Sequence, residues 1–107
     1  MVPTVTVPEV GADAHLLDVR EPEEWAAGHA PGAQHVPMYE VPARLAEVPA
    51  DRDVVVVCRS GIRSARVVEF LVGNGWQKVY NLDGGMEDWA AAGRPLVTDT
   101  GAPARVL

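Results

Sequence analysis

The chain has one cysteine, Cys58, and so cannot form an intramolecular disulfide. A disulfide framework and a cysteine-rich zinc site are both excluded. Basic residues are scarce: nine Lys and Arg against fifteen Asp and Glu leave a net charge of −6. A nucleic-acid backbone needs clustered cations, so nucleic acid is not an expected partner. No apolar run approaches the roughly 20 residues of a membrane span. Met1 to Val10 has neither a charged n-region nor a long apolar stretch, so no signal peptide is expected. The expected location is the cytoplasm, with no membrane partner, where a lone thiol stays reduced. The three histidines, His15, His29 and His35, form no HExxH and no Cys/His zinc spacing. Neither a metal nor another cofactor is expected.

What is present reads as one domain of alternating strands and helices. The 107 residues are about one domain's worth. Val2 to Val7 reads as a short strand that Pro3 confines to an edge. His15 to Val19 is a compact apolar strand. Pro22 suits the first position of a helix, Glu23 and Glu24 suit its positive end, and Gly28 stops it. Gln34-His35-Val36 reads as a short strand. Pro42 to Val48 reads as a helix with Leu45 and Val48 inward. Val54 to Val57 is a continuous β-branched run, the pattern of a strand buried on both faces of a parallel sheet. Ser64 to Val72 reads as a helix with an apolar face of Val67, Val68, Phe70, Leu71 and Val72, ended by Gly73-Asn74-Gly75. Lys78 to Leu82 is a further strand. Gly84-Gly85 turns the chain into a helix over Met86 to Ala92. The domain is expected to span residues 1–97, with 98–107 a tail that buries little. This alternation implies an α/β fold with a mainly parallel sheet. In such sheets ligands bind beyond the carboxyl ends of the strands, and Cys58 follows the central strand directly.

The chemistry is concentrated in Cys58-Arg59-Ser60-Gly61-Ile62-Arg63-Ser64. A strand enters a tight loop and the loop enters a helix N-terminus. Backbone N–H groups in such a loop converge and favour an anion. Gly61 permits the positive φ that such a cradle uses. Arg59, Arg63 and Arg66 place three positive charges within eight residues of an acidic protein. A thiol beside cations at a helix N-terminus ionises readily, and the thiolate is the nucleophile. A buried, inert cysteine is the competing reading, because cysteine is among the most buried residue types. The arginines and the strand–loop–helix setting favour the reactive one.

These seven residues resemble the active-site loop of the rhodanese family. Leu17-Asp18-Val19-Arg20-Glu21-Pro22-Glu23-Glu24-Trp25, continuing to Gly28-His29-Ala30-Pro31-Gly32-Ala33, resembles the family's N-terminal signature. Tyr80-Asn81-Leu82-Asp83-Gly84-Gly85, with Trp89 and Gly93-Arg94-Pro95-Leu96, resembles its C-terminal one. The resemblance implies a rhodanese-like, mainly parallel five-stranded sheet flanked by helices. It implies a sulfurtransferase that moves sulfane sulfur from thiosulfate, or a similar small anionic donor, to a thiol, cyanide or protein acceptor through a Cys58 persulfide. It also implies that the backbone of Arg59, Ser60, Gly61, Ile62, Arg63 and Ser64 cradles the persulfide. Arg59 matches a position where thiosulfate-using relatives carry a substrate-binding arginine. Ser60 stands where those relatives have a lysine and resembles the mercaptopyruvate-using ones, so both donors stay open.

Asp18 and Arg20 lie at a strand's carboxyl end. They are expected to brace the loop rather than to form a surface ion pair worth ~0–1 kcal/mol. A catalytic histidine is not expected, because an ionised thiol needs no base. Trp25, Trp76, Trp89 and Tyr80 read as core or rim. Two other functions compete. Rhodanese-fold phosphatases and arsenate reductases resemble Cys-x5-Arg, but here the arginine, Arg63, follows only four intervening residues. A non-catalytic interaction or sulfur-carrier module is the other; such modules often lack the cysteine that this chain keeps.

Overall fold

Four consecutive valines, Val54 to Val57, make the middle strand of a five-stranded sheet, and none of the four is exposed. The computed structural model describes residues 2–107. The strands are β1 (Thr4–Val5), β2 (His15–Asp18), β3 (Gln34–His35), β4 (Val54–Val57) and β5 (Val79–Leu82). Their order across the sheet is β1-β5-β4-β2-β3, and every pairing is parallel. Side chains alternate between the two faces of a strand, and both faces here are covered. Leu17, Val54, Val56 and Val79 face one apolar cluster with Val67, Val68 and Leu71. Leu16, Val55, Val57 and Leu82 face the other with Met86 and Trp89. A strand buried on both sides has no polar alternate positions, which is why the valine run is unbroken.

The covering helices are α1 (Pro22–Ala27), α2 (Ile62–Gly73) and α3 (Gly85–Ala91). α2 buries Ser64, Val67, Val68 and Leu71, the spacing of one helical face. Phe70 and Val72, expected on that face, are 38% and 46% exposed, because they project beyond the stripe that meets the sheet. α2 also begins at Ile62, two residues before the expected start.

Other local expectations are corrected. The first strand holds only Thr4–Val5, because Thr6 and Glu9 cap a 3-10 turn over Val7–Glu9. Pro42–Glu47 is a 3-10 run rather than an α-helix. Arg44 leaves helical geometry there, at φ −118° and ψ 23°, while its guanidinium joins Glu40 and Glu47. Val48 is buried as expected, but Leu45 only half so. None of residues 98–107 is buried, but contacts tie them to the domain. The Arg105 N–H donates to the Ala27 carbonyl, Val106 packs on the second cluster, and the Arg105 backbone lies against Gly28 where a side chain would collide.

Candidate active site

The register of the sheet brings the ends of β2, β4 and β5 to one edge. Asp18 pairs with Val57, and Asn81 with Val56. Cys58 is therefore the first residue beyond the central strand, and it is 1% exposed.

The loop after Cys58 is held by its carbonyl groups. The Cys58 carbonyl accepts from the Met86 N–H at 2.8 Å, and the Arg59 carbonyl from the Glu87 N–H at 3.0 Å. The Gly61 carbonyl accepts from Asn81 Nδ2 at 3.1 Å. With the carbonyls so engaged, N–H groups are left for the sulfur, and the Gly61 N–H donates to Cys58 Sγ at 3.1 Å. Gly61 sits at φ +106°, in the left-handed region that favours glycine. It is the residue before α2, so the helix starts directly beneath the sulfur.

α3 approaches this loop closely enough to exclude a side chain at Gly85. A Cβ there would lie 2.5 Å from the Cys58 carbonyl oxygen, and Gly85 has φ +57°. Gly85→Ala is expected to lower Tm by roughly 5–10 °C from the left-handed backbone alone, at about 1–2 kcal/mol. It should also slow reaction of Cys58 with thiosulfate, because the loop must shift. Thermal melting and mass spectrometry of the sulfur adduct would check both.

The electrostatics favour a thiolate. Burial pushes the Cys58 thiol up, but the Ser64 hydroxyl and the N–H groups of Ser64, Gly61 and Ser60 together bring it below its usual value. Hydrogen bonds to a charged form stabilise that form. Ser64 is itself buried, with Oγ 3.2 Å from Cys58 Sγ and 2.5 Å from Asn81 Oδ1.

The loop arginines are not free. Arg63 donates from Nη1 and Nη2 to the two carboxylate oxygens of Glu24 on α1, at 2.7 and 2.9 Å. The Arg63 guanidinium holds the Glu24 carboxyl below the usual carboxylate range, against the opposing effect of burial. Arg59 is half exposed and donates from Nε to Glu87 on α3 at 3.2 Å. Arg66 and Ser60 are exposed, and the Ile62 side chain is 69% exposed.

Asp18 and Arg20 are not a surface pair: both are 0% exposed. Arg20 donates from Nε and Nη2 to the Asp18 carboxylate, at 2.9 and 2.6 Å. It also reaches the Glu24 and Gly28 carbonyls, at 3.3 and 2.8 Å. The pair thus fastens α1, which carries Glu24. The histidines have other partners. His15 bonds Gln34, His29 bonds the Trp25 carbonyl and Asp99, and His35 bonds the Arg20 carbonyl. Trp25 stacks on both His29 and His35. Among the described residues, no group of three or more His, Cys, Asp or Glu could hold a metal ion. Among the described residues, no helix is long and apolar enough to cross a membrane.

Comparison with known proteins identifies the family of this fold. The family profile described as the rhodanese-like domain matches residues 9–92. The chain belongs to the rhodanese-like domain family. This rhodanese-like domain is 45% identical, over 89 residues, to a protein of Allochromatium vinosum named sulfurtransferase, covering 83% of each chain. It is 35% identical to thiosulfate sulfurtransferase GlpE of Vibrio cholerae, covering 78% of each. Its fold superposes on a rhodanese-related protein of Thermoplasma volcanium with a TM-score of 0.84 at 28% identity, covering 91% of this chain and 99% of that one. This rhodanese-like domain has Cys58 just beyond the carboxyl end of its central strand. Around it stand three residues that sequence reasoning did not single out for the site: Glu24, Asn81 and Glu87. All three lie within or beside the family signatures, but their pairing with the loop depends on contacts 20–39 residues apart in sequence.

Proposed function

We propose that Cys58 accepts sulfane sulfur from thiosulfate or a similar small anionic donor and passes it to a thiol, cyanide or a protein acceptor. The observation that carries this reading is the convergence of hydrogen-bond donors on Cys58 Sγ in a loop whose carbonyls are held by α3 and Asn81. Membership of a sulfurtransferase family, and a relative named for thiosulfate, support it.

In the first half-reaction the Cys58 thiolate attacks the outer sulfur of thiosulfate. A new S–S bond forms at Cys58, and the old S–S bond breaks with its electron pair leaving on sulfite. The charge is conserved: a thiolate and a dianion give a persulfide anion and a sulfite dianion. In the second half-reaction an acceptor thiolate or cyanide takes the outer sulfur, and the Cys58 thiolate is restored. The N–H groups of Ser60, Gly61 and Ser64 would hold the anion in both stages. No base, metal or other cofactor is required for either step.

Phosphate-ester chemistry fits less well. Arg63 follows Cys58 after four residues, and its guanidinium is taken by Glu24. Parallel incubation with thiosulfate, mercaptopyruvate and a phosphate ester tests the choice. Sulfite or pyruvate should be released, with a sulfur adduct on Cys58, and phosphate should not. Efficient phosphate release without any adduct would refute the proposal.

Arg59 is the exposed cation of the loop, and its pair with Glu87 is the weak surface kind. Arg59→Ala should lower kcat/KM for thiosulfate by roughly tenfold, as loss of a charge-assisted contact does, with Tm nearly unchanged. Glu87→Gln should raise it, because the guanidinium is released. Steady-state kinetics on both variants checks the sign.

A further inference from the structure

Ser64 has one hydroxyl proton and two acceptors within reach. Cys58 Sγ lies 3.2 Å from its oxygen, and Asn81 Oδ1 lies 2.5 Å from it. The orientation of the Asn81 amide is fixed from the other side. Its Nδ2 donates to the Gly61 carbonyl at 3.1 Å, and a carbonyl accepts only from the nitrogen. The oxygen of the amide therefore faces Ser64 and, being an acceptor, needs the Ser64 proton. Asn81 is 7% exposed, so water does not readily replace that bond.

We propose that Asn81 is a positioning residue that competes with the Cys58 sulfur for the Ser64 hydroxyl hydrogen bond, so that Ser64 stabilises the thiolate less than it would without Asn81. A neutral thiol suits this arrangement. Its S–H donates to Ser64 Oγ, Ser64 donates to Asn81 Oδ1, and Asn81 donates to the Gly61 carbonyl. Every group in the chain is satisfied. A thiolate breaks the pattern, because the sulfur then needs the Ser64 proton. Two oxygens, Ser64 Oγ and Asn81 Oδ1, would face each other without a hydrogen between them. Asn81 thus acts against ionisation, and the backbone N–H groups act for it. This inference rests on the reading of Cys58 as the sulfur-bearing nucleophile.

Of the charged groups in or against the loop, Arg63, Arg59 and Asp18 are paired, and Arg66 of α2 is exposed to solvent. Arg63 of α2, which interacts electrostatically with Cys58, is bound to Glu24 of α1. Arg59 is bound to Glu87 of α3, and Asp18 to Arg20 beyond β2. None of these pairs includes Ser64 or Asn81, so substitutions at those two positions leave the charges in place.

The test is the pH dependence of Cys58 alkylation by neutral iodoacetamide, measured alongside persulfide formation from thiosulfate. Asn81→Ala should move the inflection down by about one pH unit, a roughly tenfold faster reaction below it. Asn81→Val, better suited to a strand, repeats the measurement if the alanine variant is unstable. The decisive background is Ser64→Ala. There, the Asn81 substitution should have no effect on the inflection, because no hydroxyl is left to redirect. An unchanged inflection in the single Asn81 variants would overturn the proposal. So would a shift that persists without Ser64, which would mean that Asn81 acts through the Gly61 carbonyl alone. A shift as expected in a protein that never forms a persulfide would leave this inference standing and remove the sulfur-transfer reading instead.

Discussion

Cys58→Ser should gain no sulfur from thiosulfate, where the wild-type protein gains one atom that cyanide or a reductant removes. A hydroxyl in the same cradle is not ionised near neutral pH and forms no stable sulfane adduct. Sulfur transfer should fall to background, a loss of several orders of magnitude. Intact-protein mass spectrometry reads the first effect and sulfite release the second. The fold should survive, since serine fills nearly the same volume among the same N–H donors. The wild-type thiol should also titrate below an ordinary cysteine, as the loop N–H groups and Ser64 outweigh burial. Alkylation rate should therefore rise with pH and level off earlier than for a free thiol. A profile displaced to higher pH would mean that burial dominates the site.

Asp18→Ala should be the most damaging substitution outside the loop. It leaves the Arg20 guanidinium uncompensated in a fully buried position, beneath α1. Breaking a buried pair from one side costs about 3–5 kcal/mol, a large part of the roughly 5–15 kcal/mol that holds a small domain. The urea midpoint should fall accordingly. Replacing both residues, as Asp18→Leu with Arg20→Met, should recover only part of the loss. The charge is then gone, but the Glu24 and Gly28 carbonyls still lose their donor. A loss below about 1 kcal/mol for Asp18→Ala would show that the pair behaves as an exposed one. In whatever Asp18 variant stays folded, sulfur transfer should drop more than unfolding alone explains, because α1 also presents Glu24 to Arg63.

The strands and helices were legible because their signals are local. Val54 to Val57 reads as a buried parallel strand from four residues, and Pro22, Gly28 and Gly73 mark helix ends from one residue each. Pro42–Glu47 misled for the same reason. Its composition suits a helix, but it lies between Pro42 and Pro49, and Arg44 is drawn out of helical geometry while pairing with two glutamates. None of residues 98–107 is buried, and the backbone of Arg105 finds a carbonyl at the end of α1 that nothing in the tail announces.

By itself the sequence determined the α/β class, the central strand, the lone cysteine after it and the basic loop that follows. Each of these follows from residue type and short-range spacing. Only the tertiary structure decided what those charges do. Arg63 and Arg59 are neighbours of Cys58 in the chain, but Arg63 is held by two bonds to Glu24, and Arg59 is left with one exposed, weak pair to Glu87. The cradle owes its shape to N–H groups of α3 and to Asn81, which hold the loop carbonyls from outside. Asp18 and Arg20 are buried because two parallel neighbours and α1 close over them, and Arg20 reaches carbonyls that the sequence did not point to. Hydrogen-bond partners across a sheet edge are chosen by register and packing. A one-dimensional pattern carries the groups that can bond, and the fold selects which of them meet.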